Sequence, residues 1–92
     1  MLAKMPSLTT LSLTNNQISS LPTRFFNSTP ILQTLHLVGN DISSSDLSQS
    51  GLANCSRLRE LNLGFNGISF MPPGFFDLMS EMSLLYLDNN QT

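Results

Sequence analysis

The chain has 92 residues, 40% of them apolar and only 11% charged, with a formal net charge of −2 and one cysteine. That length gives one small domain or part of a larger one, with a thin core that buries about 60–65% of the surface the unfolded chain exposes. The slight acidity argues against a nucleic acid or direct membrane contact, no apolar run approaches the roughly 20 residues of a membrane span, and a lone Cys55 excludes an internal disulfide and a multi-cysteine metal site.

The opening MLAKMPSLTT carries Lys4 but no apolar segment behind it, so no leader peptide is expected there. The first predicted element lies in LTTLSLTNNQI, Leu8 to Ile18. Leu11, Ser12 and Leu13 alternate as a short strand does, with the leucines inward. Asn16 follows three residues after Leu13, and Ile18 is apolar again. A return segment then carries Leu21-Pro22, Phe26 and Thr29. The same spacing recurs in LQTLHLVGNDI as Leu32, Leu35, Leu37, Asn40 and Ile42. Its return segment is two residues longer and lacks the Leu-Pro pair, and Leu47 is expected to fill that core position. LRELNLGFNGI gives Leu58, Leu61, Leu63, Asn66 and Ile68, followed by Met71-Pro72 and Phe76. A fourth block, MSLLYLDNN, gives Met82, Leu85, Leu87 and Asn90.

The blocks start at Leu8, Leu32, Leu58 and Met82, 24, 26 and 24 residues apart. Further columns run through Met5, Thr29, Cys55 and Met79, and through Leu2, Phe26, Leu52 and Phe76. Each such unit is too small to bury its leucines alone, and about three or more must stack to make a continuous core. Residues 1–92 therefore read as one array of about three and a half repeats. Leu2 and Met5 already occupy core columns and the chain stops two residues after Asn90, so the array is expected to be an uncapped piece of a longer protein.

These columns resemble the leucine-rich repeat family over all 92 residues. The segments LPTRFF and MPPGFF look like its class of about 24 residues, common in receptor ectodomains, while the second unit departs from that form. The resemblance implies an α/β solenoid with a concave parallel sheet and a convex side of turns and short helical segments. Asn16, Asn40, Asn66 and Asn90 then form a structural ladder. Each amide both donates and accepts, and it satisfies backbone groups that a turn leaves unpaired at about 1–3 kcal/mol apiece.

One histidine, no glycine-rich phosphate loop and no paired acidic motif argue against an enzyme, a cofactor or a metal site. Asp46 and Asp77 sit in different units, and Cys55 falls in an inward column, as a buried inert thiol does. The outward column of the strands is Ser12, His36, Asn62, Tyr86, flanked by Thr10, Thr34, Glu60, Leu84 and by Thr14, Val38, Gly64, Asp88. His36, Glu60, Asn62, Phe65, Leu84 and Tyr86 are the candidate ligand-binding residues, with the apolar and aromatic ones as anchors. Asn54-Cys55-Ser56 fits the glycosylation acceptor pattern. Asn27-Ser28-Thr29 also fits, weakened by Pro30, whereas Asn90 belongs to the ladder and should be buried.

The segments with Leu-Pro are similar to the ectodomains of Toll-like receptors, variable lymphocyte receptors and matrix proteoglycans. That implies a recognition module in innate immunity or adhesion, outside the cell or at its surface, which binds a protein or other macromolecular ligand. Two other readings stay open: a cytoplasmic scaffold or regulatory subunit, and the recognition arm of a multidomain enzyme such as a kinase.

Overall fold

A computed structural model describes residues 7–90. Leu2 and Met5 lie outside the described residues. Four short parallel strands form one sheet in chain order: β1 (Thr10–Ser12), β2 (Thr34–His36), β3 (Glu60–Asn62) and β4 (Leu84–Tyr86). The pairing has no slippage, with Leu11 beside Leu35, Leu35 beside Leu61, and Leu61 beside Leu85. Backbone bonding extends past each strand at both ends. Leu13 N–H donates to His36 O at 2.8 Å and Asn15 N–H to Val38 O at 2.7 Å, and the later units repeat both bonds.

This register stacks the inward leucines into one core. Leu32, Leu35, Leu37, Leu58, Leu61 and Leu63 are fully buried, with Ile42 and Ile68 beneath the turns. Leu8, Leu11, Leu13 and Ile18 of the first unit are packed against that core but only partly covered. In β4 the inward Leu85 keeps 39% of its surface exposed, because no described unit lies beyond that strand.

The return segments are a 3₁₀ turn (Phe25–Ser28), a short helix α1 (Ser44–Gln49), a second 3₁₀ turn (Leu52–Asn54) and, after β3, turns alone. The longer second return is where α1 forms. Ser43 caps it: its Oγ accepts from Asp46 N–H at 3.3 Å while Asp46 Oδ2 accepts from Ser43 N–H at 3.0 Å. Such a reciprocal pair satisfies two donors that a helix start leaves free. Leu47 on this helix is buried, in the role that the missing Leu-Pro pair left open. Asp46 Oδ1 also accepts from Leu21 N–H of the first unit at 3.4 Å, so the cap ties two units together.

The aromatic column differs from expectation in the third unit. Phe25 and Phe26 meet edge to face at 5.0 Å, as do Phe75 and Phe76. Phe26 is the buried member of its pair, but Phe75 is the buried member of the second and Phe76 is half-buried. Phe26 is followed in its column by Leu52, whereas no described residue follows Phe76, which leaves its ring at the rim.

Candidate functional site

The asparagine ladder has a direction. Asn40 is buried, and its Oδ1 accepts from Ile18 N–H at 2.9 Å and Asn16 N–H at 3.2 Å, both in the preceding unit. Its Nδ2 donates within its own unit to Leu37 O at 2.9 Å and back to Leu13 O of the preceding unit at 3.0 Å. Asn66 serves Ile42 N–H and Leu37 O in the same manner, and Asn90 serves Ile68 N–H and Leu63 O. Each asparagine therefore closes the turn of the unit before it. Asn16 is the exception. No described unit precedes it, so it is exposed, and among the described residues its Nδ2 reaches Thr14 O alone, at 3.1 Å. Asn90 is half-buried rather than buried, since it lies in the outermost described turn.

The residue before each ladder asparagine forms a second column that periodicity did not single out. Asn15, Gly39, Phe65 and Asn89 all have left-handed backbone, with φ of 56°, 74°, 54° and 60°. Glycine and asparagine adopt that region readily, but a bulky side chain there strains the backbone. Phe65 is thus out of keeping with its column, and it is also 59% exposed. Only the conformational column shows this, because the sequence motif leaves that position open.

The outward face changes in character from β1 to β4. Thr10, Ser12, Thr14 and Thr34 make the β1 end rich in hydroxyls. In the middle, His36 Nε2 and Glu60 Oε2 lie 2.5 Å apart across neighbouring strands, each side chain about a third exposed. The columns could have given this pair, since Glu60 lies one unit on and one column across. Asn62 Oδ1 accepts from Gly64 N–H at 3.0 Å, so part of its amide supports its own turn and is not available to a ligand. At the β4 end, Leu84 and Tyr86 are 45% and 41% exposed. The structure thus places five of the six candidate residues on β2, β3 and β4, with the apolar Leu84 and Tyr86 on the last strand, whereas Phe65 lies in the turn that follows β3.

The convex side holds the remaining predicted positions. Asn54 ends the second 3₁₀ turn and is exposed, as is Ser56. Asn27 is exposed in the first 3₁₀ turn, with its Oδ1 against Gly51; a Cβ built on that glycine would stand 2.4 Å from it. Thr29 is fully buried and its hydroxyl donates to Phe26 O at 3.2 Å. Cys55 is buried with its thiol directed at Phe26 O and Thr29 O. Burial pushes that thiol up to about 11, with the contact to Thr29 opposing the rise. Two buried serines went unforeseen, because serine in a polar run gives no inward signal. Ser44 Oγ accepts from Ser69 N–H and Phe70 N–H, both at 3.0 Å, and Ser50 Oγ donates to Leu47 O at 3.1 Å.

Two family models, each described as a leucine rich repeat, match residues 6–54 and 57–78. The chain is similar to osteomodulin of Bos taurus, 36% identical over 85 residues that cover 92% of this chain and 18% of that protein. It is similar to lumican of Homo sapiens, 33% identical over 95 residues, 98% of this chain and 27% of that one. It is also similar to Toll-like receptor 12 of Mus musculus, 34% identical over 55 residues, 60% of this chain and 6% of that protein. The chain spans less than a third of the length of each of these relatives.

Proposed function

The chain belongs to the leucine-rich repeat family, and on that premise we propose that it is a recognition module that presents the β3–β4 end of its concave sheet to a protein ligand. The observation that carries this reading is Phe65. It stands in left-handed backbone where the other units place asparagine or glycine, and it is 59% exposed. The conformation costs about 1–2 kcal/mol, and a ring left largely in water recovers little of that by burial. Strain held at an exposed aromatic residue points to use of that residue. Leu84 and Tyr86 add exposed apolar area on β4, and Arg59 and Glu60 supply a charged margin. The strands hold Glu60, Leu84 and Tyr86 at fixed spacing, which lowers the entropy lost on binding. Tyrosine is suited to anchor such a contact, with large area and few torsions to freeze.

The module works by binding and not by catalysis. We place it in the ectodomain of a receptor or adhesion protein, at the cell surface or outside it. The Leu21-Pro22 and Met71-Pro72 segments and the similarity to a Toll-like receptor support that location.

A photoreactive phenylalanine analogue at position 86, compared with the same group at the convex position 48, tests the binding face. The expected result is an adduct from position 86 that excess unlabelled chain competes away and excess Tyr86→Ala chain does not. With the adducted protein then purified, Tyr86→Ala should weaken binding about fivefold or more, which corresponds to about 1 kcal/mol. Competed adducts from position 48 alone would place the interface on the convex side and refute the reading.

A further inference from the structure

We propose that Asn54 carries an N-linked oligosaccharide and that the other two acceptor patterns, at Asn27 and Asn90, do not; this rests on the extracellular reading above. Three positions satisfy the pattern of asparagine, any residue but proline, then serine or threonine. The transferring enzyme meets the chain before it folds, so the folded structure acts as a filter on which modified chains reach the native state.

Asn90 fails that filter. Its amide is fully employed, with Oδ1 accepting from Ile68 N–H at 3.0 Å and Nδ2 donating to Leu63 O at 2.9 Å and Leu87 O at 3.0 Å. A sugar on Nδ2 would take the place of one of those donors inside the turn. Asn27 is disfavoured twice. Pro30 directly follows its Thr29, and its amide is seated against Gly51 of the next unit, where left-handed glycine with no Cβ leaves the space. That Gly51 contact requires the Asn27 side chain to lie along its neighbour rather than project from it.

Asn54 meets neither obstacle. It is the last residue of a 3₁₀ turn, exposed, on a return segment away from the sheet. Its backbone carbonyl accepts from Ser56 N–H at 2.9 Å, which draws the asparagine and the hydroxyl residue close on the outer surface. The middle residue, Cys55, turns into the core between them, so its thiol neither competes for the surface nor blocks it.

In the transfer, Asn54 Nδ2 forms a bond to the anomeric carbon of an oligosaccharide carried on a lipid diphosphate. The bond from that carbon to the diphosphate oxygen breaks, the lipid diphosphate leaves with the electron pair, and Nδ2 gives up one proton. A glycan so placed shields the convex side and leaves the β3–β4 face open to a partner.

The full chain, secreted from mammalian cells behind an added leader, gives the test. Its intact mass is read before and after removal of N-glycans by a glycosidase that converts each modified asparagine to aspartate. The expected result is one glycan, with the conversion mapped to position 54, and no glycan on Asn54→Gln or on Ser56→Ala. A secreted chain without a glycan, or a conversion at position 27 or 90 in place of 54, overturns the proposal. Location is read separately, by protease protection of the endogenous protein in sealed vesicles. A cytosolic protein overturns the extracellular reading and this modification with it, whereas a luminal protein bare at Asn54 overturns the modification alone.

Discussion

Truncation of the ladder asparagines to alanine should cost stability in an order fixed by their hydrogen bonds. The carbonyls are served twice: Leu37 O accepts from both Asn40 and Asn66, and Leu63 O from both Asn66 and Asn90. The N–H groups have a single ladder acceptor each. Asn66→Ala leaves the fully buried Ile42 N–H without a partner, while Leu37 O and Leu63 O keep one donor apiece. Asn40→Ala orphans Ile18 N–H and Leu13 O, which are half-buried, together with the Asn16 N–H, which water can reach. An unpaired buried group costs about 1–3 kcal/mol, and the vacated side-chain volume adds to that, so each of the two variants should lose about 2–4 kcal/mol. Asn16→Ala removes one exposed bond to Thr14 O and should lose less than about 0.5 kcal/mol. Asn15→Ala would be a poor control, since φ there is 56° and alanine brings its own strain. Urea titration by far-ultraviolet circular dichroism measures the three variants against the native chain, with comparison of slopes to check that the unfolded state is unchanged. A loss for Asn16→Ala equal to that for Asn66→Ala would refute the assignment of the ladder energy to cross-unit bonds.

Three other expectations follow from single side chains. Phe65→Asn should raise stability by about 1 kcal/mol, as asparagine tolerates the left-handed backbone, and should weaken partner binding; lower thermal stability would remove the strain argument. The Cys55 thiol is raised in the fold from 9.0 to about 11, so its neutral form contributes stability that is complete below pH 9 and lost as pH climbs from 9 through 11. About 2–3 kcal/mol should disappear over that window, and denaturation of Cys55→Ala should lack that component. Ser44→Ala should cost about 1–3 kcal/mol by leaving Ser69 N–H and Phe70 N–H unpaired, which melting temperature will show.

Spacing carried most of the architecture. Leucines at fixed offsets from an asparagine, repeated four times, define strands, register and core because parallel strands in phase must place equal columns side by side. The extra length of the second return was legible too, though not that it would become a capped helix. What spacing could not reveal depends on backbone dihedrals and single polar contacts. The left-handed column at Asn15, Gly39, Phe65 and Asn89 includes a phenylalanine, so residue type alone conceals it. Buried Ser44 and Ser50 are indistinguishable from exposed serines in a run such as SSSD. The face residues, the diagonal of His36 and Glu60 and the apolar Leu84 and Tyr86 were all legible in the columns, whereas the exposure of each and the turn contact that occupies Asn62 needed the structure.

The direction of the ladder has a mechanical consequence. Pulling β1 away from β2 strips Ile18 N–H from Asn40 Oδ1, and what remains on the array is a side chain that can turn to water, as Asn16 does, while its Nδ2 still holds Leu37 O. Pulling β4 away from β3 instead removes Asn90, and what remains is a rigid turn whose Ile68 N–H has lost its acceptor. A flexible amide is readily rehydrated and a fixed backbone group is not. Under load, the solenoid should therefore peel more easily from its β1 side, one unit at a time, and resist force applied at its β4 side.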